Sequence, residues 1–296
     1  MLNVFHAQSL HAKPLPRRSN LVNYSLFKTL DSWIDFRSFS IKYVCSGMEK
    51  YTVNQNTYEV KSGQYILANE HASGKVEIES NEWVRGICID ISPELLAEAL
   101  ASQLRPDTLC PDLNLDRFFN SPDFLDNLYS AQQTAVGQLL TRLDASLSSG
   151  AICPNAIPQN LYYDLATALV QDHIPIYLSL QKIPSVKWQT SKILYKKVSE
   201  AKAVIEHQTH EAIDVAQLAL YVQMSPYHFH RIFQKTFNIS PYHYSLKVRL
   251  NHAMTLMAHQ KYSITEAAMA TGFSDISSFS KTYKKHFGTS PSQLVL

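Results

Sequence analysis

The sequence predicts an α+β protein with two domains, an N-terminal antiparallel β-barrel with flanking helices and a C-terminal all-α domain. Three observations predict this: 296 residues exceed the roughly 100 to 200 of one domain, strand-like segments crowd residues 37–90, and an aromatic pattern recurs after 50 residues. The C-terminal domain should hold two helix-turn-helix units joined by a long helix. We place the domains at residues 1–173 and 191–296, with a linker at 174–190 that contains Pro175 and Pro184.

The barrel is predicted from short segments that alternate apolar and polar residues between turns. Phe39–Cys45 alternates over the length of one strand, and Ser46-Gly47 ends it. Further segments follow at Lys50–Val53, Thr57–Val60, Tyr65–Ala68, Lys75–Ile78 and Val84–Ile89. Closely spaced strands are typical of a small antiparallel barrel or jelly roll.

Helical patterns follow the strands. Ser92-Pro93 can cap a helix that runs to about Gln103. Residues 121–146 and 158–172 place apolar side chains three and four positions apart, which predicts amphipathic helices. We expect these helices to pack on the barrel or to form a subunit contact.

Charge is distributed unevenly along the chain. Residues 1–184 hold 14 Lys and Arg against 19 Asp and Glu, whereas residues 185–296 hold 13 against 6. Eight of the twelve histidines also lie in the C-terminal part. This asymmetry favours a polyanion such as nucleic acid as the partner of the C-terminal domain, although a solvated basic surface would look the same.

Targeting and ligand patterns predict a cytoplasmic protein without a metal or cofactor. No window approaches the roughly 18 apolar residues of a membrane span, and residues 1–20 lack the apolar stretch of a signal peptide. Cys45, Cys88, Cys110 and Cys153 are far apart, so we expect reduced, packed thiols. A metal-dependent barrel enzyme is the alternative, but the barrel region offers only His71, so we predict no catalytic residue.

A near-repeat carries most of the functional information. Phe229, Phe233 and Phe237, followed by Ser240-Pro241, recur as Phe279, Tyr283 and Phe287, followed by Ser290-Pro291. Aromatic residues four positions apart lie on one face of a helix. Each copy therefore predicts an amphipathic helix that buries an aromatic stripe.

The residues before each stripe predict a second, shorter helix and a turn. Asp214 can cap a helix, and Ser225-Pro226 can start the next one. In the second copy Thr265–Ala270 forms the short helix, Gly272 allows the turn, and Ser274 or Asp275 caps the aromatic helix. A pair of this kind can present its second helix to the major groove of DNA.

The polar faces of the two aromatic helices supply the candidate DNA contacts. The first helix offers Tyr227, His230, Arg231, Gln234 and Lys235, and the second offers Ser277, Ser280, Lys281 and Lys284. A helix from Ser240-Pro241 to about His259 would join them. Roughly 18 residues give about 27 Å, which comes close to the 34 Å between successive major grooves on one face of the duplex once the flanking helices are added.

These residues resemble the AraC/XylS-type family of bacterial transcription regulators over about Tyr195–Leu296. The matching positions are Leu218-Ala219, Ser225-Pro226, Arg231-Ile232-Phe233, Arg249, Ala253, Leu256-Met257, Gly272-Phe273-Ser274-Asp275, Phe279, Phe287-Gly288 and Ser290-Pro291. The resemblance implies that Tyr227, His230 and Arg231 read a first groove. The residues that it places near a second groove are Ile276, Ser277, Ser280 and Lys281.

Two positions depart from the family pattern. Asn238 stands where the family usually has Gly, and Asn enters the left-handed region at modest cost. Ala267 replaces a larger aliphatic residue. The second readout face also lacks Arg, so we expect the first unit to supply most of the sequence specificity and the second to anchor phosphates.

The barrel region is similar to the cupin-type sensing domain attached to such regulators, most closely at Ile41–Val44 and Gly47–Ala68. This resemblance implies that an effector binds inside the barrel and that the following helices form a homodimer. The aromatic candidates for an effector pocket are Tyr43, Tyr51, Tyr65 and Trp83, unless they form barrel core. We expect an activator that binds double-stranded DNA and acts with RNA polymerase. Control by a partner protein at residues 121–172 stays open.

Overall fold

The computed structural model divides the chain into two compact units, Met1–Tyr177 and Leu178–Leu296. It describes residues 2–5 by backbone only, and residues 19–36, 38–103, 115–122, 124–150, 157–158, 160–185 and 187–293. Over these ranges, no helix has both the length and the apolar character needed to cross a membrane.

The first unit contains one sheet of eight strands in its described part. The strands are β1 (Leu2–Phe5), β2 (Leu21–Asp35), β3 (Phe39–Ser46), β4 (Met48–Val53), β5 (Asn56–Lys61), β6 (Gln64–Ala68), β7 (Ser73–Ile91) and β8 (Leu128–Ser130). Their order is β1-β2-β7-β3-β6-β8, and β4 pairs with both β5 and β7. Apart from the parallel β1–β2 pair, the pairs are antiparallel.

The long strand β7 makes the sheet a nearly closed barrel. Its first part pairs with β4 and its second part with β3, while β2 pairs with both parts. The register of β2 shifts between Phe27 and Thr29, which allows the strand to bend. The predicted barrel is confirmed. Some details were wrong: the strands predicted at Lys75–Ile78 and Val84–Ile89 are one continuous strand, and β1 and β2 were not predicted.

The two faces of strand β3 serve different purposes. Val44 belongs to the apolar cluster inside the barrel, together with Ile66 and Val84. Tyr43 lies on the opposite face, where it hydrogen-bonds the Thr141 side chain. Residues on either side of this strand are buried, so the sheet is covered on both faces.

In its described part the first unit contains three whole helices, α1 (Pro93–Gln103), α2 (Leu115–Phe119) and α3 (Ala135–Ser148), and most of a fourth, α4 (Asn160–Lys182). The helix predicted over residues 121–146 is only partly correct, because its first half contains β8 and a 3₁₀ turn, Ala131–Gln133. Backbone pairing of β8 with β6 outweighs the helical pattern there. Helix α3 then starts at the Thr134 cap, whose side chain accepts from the Gly137 amide.

The segment predicted as a linker contains helix. Helix α4 continues through Pro175 to Lys182, and the division between the two units falls inside it. Tyr177 and Leu180 are buried on this helix. Burial of this face offsets the backbone hydrogen bond that a proline inside a helix removes.

The second unit consists of six helices in its described part: α5 (Trp188–His207), α6 (Val215–Tyr221), α7 (Pro226–Phe237), α8 (Pro241–Gln260), α9 (Ile264–Ala270) and α10 (Ile276–Phe287). Asp214, Ser225 and Ser240 cap α6, α7 and α8, as predicted. Asp275 caps α10. The two helix-turn-helix units are therefore α6–α7 and α9–α10, with α8 between them.

The aromatic repeat forms the cores of both helix-turn-helix units. Phe229, Phe233 and Phe237 contact one another along α7, with centroids 5.6 and 4.8 Å apart. Phe279, Tyr283 and Phe287 repeat this arrangement along α10. Asn238 ends α7 in the left-handed conformation at φ 56°, as its small polar side chain allows. Ala267 is fully buried in the core of the second unit.

Two of the four cysteines lie in the part of the chain that the structure describes. Cys45 and Cys88 are free thiols, the first buried and the second half-buried. Cys110 and Cys153 lie outside the described residues.

Candidate functional site

Helix α7 separates its buried and exposed residues cleanly. Phe229, Ile232 and Phe233 are buried. The other side carries Tyr227, 79% exposed, and the exposed residues His230, Arg231, Gln234 and Lys235. All the candidate contacts of the first helix-turn-helix unit therefore lie on an accessible surface.

A basic groove lies beside the C-terminal half of α7. It has a volume of about 620 Å³ and is lined by Lys182, Arg231, Gln234, Lys235 and Asn238. The Lys182 ammonium donates to the Asn238 side-chain oxygen at 3.5 Å. Three cationic side chains line this groove, and the sequence analysis had not singled out Lys182.

Helix α10 repeats the separation with different chemistry. Phe279 and Tyr283 are buried, whereas Ser277, Lys281 and Lys284 are exposed. Ile276 is 44% exposed, and Ser280 is half-buried. The exposed face of α10 therefore offers hydroxyls and lysines, and no guanidinium.

Helix α8 connects the two faces within one unit. It has 20 residues, which is about 30 Å of helix. Leu250, Ala253, Leu256 and Met257 are buried in the same cluster as Phe279 and Tyr283. The connection between the two helix-turn-helix units is therefore a packed helix.

The interior of the barrel holds a second group of polar residues. Lys42 pairs in register with Ile66 and Cys88, and Ser40 with Asp90, so these side chains face the inside. The Lys42 ammonium contacts the Cys88 thiol, and the Ser40 hydroxyl donates to Asp90. These polar contacts lie beside the apolar cluster of the barrel.

Glu49 and Tyr51 continue this polar group from β4. The Tyr51 hydroxyl donates to a Glu49 carboxylate oxygen at 2.5 Å, and both residues are buried. Gly86 keeps room for this carboxylate, because a Cβ there would lie 2.7 Å from Glu49 Oε1.

Burial sets the protonation of the interior groups. It raises the pKa of Glu49, opposed by the Tyr51 hydrogen bond and by Lys42. It also raises the pKa of Cys88 to about 11, although Lys42 acts in the other direction. Burial opposes the charge of Lys42, but Cys88, Asp90 and Glu49 outweigh it and raise the pKa of Lys42. Lys42 is therefore a charged group at neutral pH.

A buried histidine occupies the helical layer of the first unit. His173 Nδ1 lies 2.8 Å from the Leu169 carbonyl oxygen and its Nε2 lies 3.1 Å from the Tyr129 hydroxyl. The rings of Phe119, Phe124 and Tyr129 surround it. Burial lowers the pKa of His173 to about 4, against the opposing effects of the Leu169 hydrogen bond and Asp172.

Across the part of the chain that the structure describes, no group of three or more His, Cys, Asp or Glu side chains is arranged to hold a metal ion.

Comparison with known families gives two matches, one for each unit. A model described as a helix-turn-helix domain matches residues 218–295, which contain both exposed helix faces. A model described as an AraC-like ligand binding domain matches residues 32–151, which contain most of the barrel.

The chain belongs to the AraC family of transcriptional regulators.

Individual relatives agree with this assignment. The chain is 24% identical over 259 residues to the Msm operon regulatory protein of Streptococcus mutans, covering 86% of this chain and 83% of that protein. It is 40% identical over 95 residues to the transcriptional regulator GbdR of Pseudomonas aeruginosa, covering 32% and 26%. It is 26% identical over 156 residues to the lactose operon transcription activator of Staphylococcus xylosus, covering 53% and 52%. The chain thus spans about half of the third relative's length and about a quarter of the second's.

The aromatic pocket candidates of this AraC-type regulator do not lie together. Tyr51 is inside the barrel, in the apolar cluster. Tyr43 and Tyr65 pair with each other on the opposite face, and the Tyr65 hydroxyl donates to Thr134 at 2.9 Å. Trp83 is 55% exposed. The four candidates therefore lie in different surroundings, because the pleat of β3 turns Tyr43 away from the interior, and their part in effector binding stays a prediction.

The polar residues inside the barrel were missed by the sequence analysis. Lys42 stands in the middle of an otherwise apolar strand, and a lysine in such a place is the signal that could have been used. Glu49 and Asp90 carried no comparable signal, because their strands also contain exposed charged residues.

Proposed function

We propose that this AraC-type regulator reads two consecutive major grooves on one face of the duplex, with α7 in the first groove and α10 in the second. The observation that carries the proposal is the accessibility of both polar helix faces, each backed by a buried aromatic stripe in one packed unit. Groove-reading helices need hydrogen-bonding side chains on the outside and a rigid support behind them.

The two helices contribute differently in this proposal. Arg231 can bind a guanine through two hydrogen bonds, while His230 and Gln234 can bind base edges or phosphates. Lys182 and Lys235 line the same basic groove of the protein as Arg231 and would neutralise DNA phosphates. On α10, Lys281 and Lys284 would anchor the backbone, and Ile276, Ser277 and Ser280 would contribute weak base discrimination.

A selection experiment tests the DNA proposal. The full-length protein is used to select duplexes from a random pool, and the selected sequence is then footprinted. We expect two protected major-groove segments about one helical turn apart on one face of the duplex. A single protected segment, or protection on opposite faces, would contradict the proposal.

We further propose that a small effector binds inside the barrel at Lys42, Glu49 and Asp90. Support comes from the match of this region to a ligand-binding domain and from the half-buried state of Lys42 and Asp90 on the inner face. An ammonium group and two carboxyl groups together suit a small polar molecule with several hydrogen-bonding groups.

Thermal shifts test the effector proposal. Monosaccharides, amino acids and small organic acids are titrated into the full-length protein while its Tm is followed, because a ligand of the native state raises it. We expect a compound that raises the Tm of the wild type and not that of Lys42→Met. The exposed Lys50→Met variant is the matched control. A shift that survives in Lys42→Met would place the ligand elsewhere.

The biological output forms the last part of the proposal. We propose an activator that works as a homodimer with RNA polymerase in the cytoplasm and has no catalytic activity; the similarity to an operon activator supports the first point. A promoter fusion should lose expression when the gene is deleted, and sedimentation should give twice the mass of 33.6 kDa. Control by a partner protein is favoured if no small molecule shifts the Tm while activation persists in cells.

A further inference from the structure

A buried arginine contacts the turn of the second helix-turn-helix unit. Arg249 lies on α8 and is 6% exposed. Its Nε donates to the Thr271 carbonyl oxygen and its Nη2 to the Gly272 carbonyl oxygen, both at 2.7 Å. Its guanidinium also lies 4.6 Å from the centre of the Phe273 ring. Through Arg249, helix α8 thus contacts the turn between α9 and α10 at three points, and we call this set of contacts the grip.

The partners of this arginine are unusual for a buried charge. They are two carbonyl oxygens and a ring rather than a carboxylate, and burial lowers the pKa of Arg249. Removing a charge from water is costly unless its geometry is well satisfied. A planar guanidinium that bridges two consecutive carbonyl groups permits only a narrow range of turn positions.

The same turn is contacted from the side of the first helix-turn-helix unit. Gly272 has φ +71°, and a Cβ there would lie 2.6 Å from the His210 carbonyl oxygen and 2.7 Å from Glu211 Cα. His210 and Glu211 belong to the loop between α5 and α6, which leads directly into the first helix-turn-helix unit. The turn between α9 and α10 is thus held between α8 and the loop that joins α5 to α6.

Internal hydrogen bonds complete the turn itself. Thr271 is fully buried, and its hydroxyl donates to the Ala267 carbonyl oxygen at 2.7 Å. The Gly272 and Phe273 amides donate to the Met269 and Ala268 carbonyl oxygens, each at 3.0 Å, so the backbone closes the turn by itself. The turn needs Arg249 for its relation to α8 rather than for its own closure.

We infer that Arg249 and Gly272 are positioning residues that fix the separation and phase of α7 and α10, so that the regulator accepts only one spacing between its two DNA elements. The inference rests on the proposed reading of two consecutive grooves. Neither residue contacts DNA in this proposal; each acts through the placement of α10. Loss of the grip should leave the first element readable while relaxing the demand on spacing.

The test uses the full-length protein and a duplex selected by the wild type from a random pool. Duplexes are made with 0, 1, 2 and 5 base pairs inserted between the two elements, and another has the second element scrambled. For the wild type we expect the Kd to rise about tenfold or more with 5 inserted base pairs, since α10 then faces the wrong side of the duplex.

Three variants decide the role of the grip. Arg249→Met removes it, Arg249→Lys keeps the charge but cannot bridge both carbonyls, and Gly272→Ala forces the turn away from the loop. We expect the ratio of Kd values between inserted and uninserted duplexes to fall from about tenfold to less than about threefold. The Kd for the duplex with the scrambled second element should stay within about twofold of wild type. Lys247→Met, which removes an exposed charge from the same helix, is the control and should change affinity equally at every spacing.

Each outcome bears on the inference. Binding of the scrambled duplex reports that a variant is folded, and Arg249→Lys or Gly272→Ala supplies the result if Arg249→Met fails this check. Undiminished spacing discrimination in a folded variant overturns the inference. Loss of binding to the scrambled duplex by all three variants overturns it too, because Arg249 would then support the whole unit. A wild type that selects no duplex contradicts the proposed function instead.

Discussion

The barrel and the double helix-turn-helix unit place their charged groups in opposite environments. In the barrel, Lys42 and Glu49 face the interior, and His173 is fully buried in the helical layer. On α7 and α10 the cations face solvent. Buried groups couple stability to pH, whereas exposed cations couple binding to salt. The first unit should therefore respond mainly to protons and the second mainly to ionic strength.

The largest expected effect concerns His173 and acid. Its pKa is about 4 in the folded chain and near 6.5 when unfolded, so the unfolded state binds more protons between these values. Stability contributed by the neutral imidazole is present above pH 6.5 and is lost as the pH falls towards 4. We expect a loss of up to about 3 kcal/mol in the free energy of unfolding, measured by urea denaturation at several pH values.

Two variants separate this effect from general acid denaturation. His173→Phe should flatten the dependence between pH 6.5 and 4 while lowering stability at pH 7, because the Tyr129 and Leu169 hydrogen bonds are lost. His259→Phe, at an exposed position on α8, should keep the wild-type slope. An equal slope in the wild type and His173→Phe would remove His173 as the cause.

The next largest effect is expected at Arg231, on the exposed face of α7. Arg231→Ala should cost roughly 1 to 3 kcal/mol at the selected site with little loss on random DNA, because a guanidinium that binds a base edge reads sequence. Competition binding at fixed salt measures both values. Lys235→Ala, four residues further along α7, is the matched control and should weaken both duplexes alike. An equal loss on both duplexes for Arg231→Ala would assign Arg231 to a phosphate.

Helices α6 to α10 could be predicted from sequence because each carries its own local signals. Ser225 and Ser240 cap helices in the structure where the Ser-Pro pairs predicted them. The aromatic spacing also fixed which face of α7 is buried. Such signals depend on residues within one or two turns of each other, so no tertiary information was needed.

The barrel interior could not be predicted in the same way. Strand β3 is buried on both faces, so alternation does not tell which side is inside. Tyr43 and Lys42 are neighbours in sequence yet face opposite sides, and only the pairing of β3 with β6 and β7 decides between them. In β2, the register shift after Phe27 breaks the alternation that would have revealed the strand.

A smaller effect should follow from the lysines of α10. Lys281→Ala should lower the slope of log K against log salt by about 1 and weaken binding a few-fold on every sequence, because a phosphate contact releases counterions without reading bases. Titrations between 50 and 200 mM salt, a range over which phosphate contacts dominate, measure the slope. Lys42→Met, which removes a cation from the barrel interior, should leave the slope unchanged. A slope that falls equally in both variants would erase the contrast between the two units.

The smallest effect is expected at the serines of α10. Ser277→Ala and Ser280→Ala remove hydroxyls that can pair with any base edge, so each should change discrimination between the selected site and single-base variants by less than about 0.5 kcal/mol. Ser280 is already half-buried, which limits its reach further. The measurement is a comparison of Kd values across single-base variants of the second element. Ser292→Ala, on an exposed residue after α10, controls for the loss of a hydroxyl. A change near that of Arg231→Ala would mean that α10 discriminates between bases as strongly as α7. The proposal that α7 supplies specificity while α10 anchors phosphates would then have to be given up.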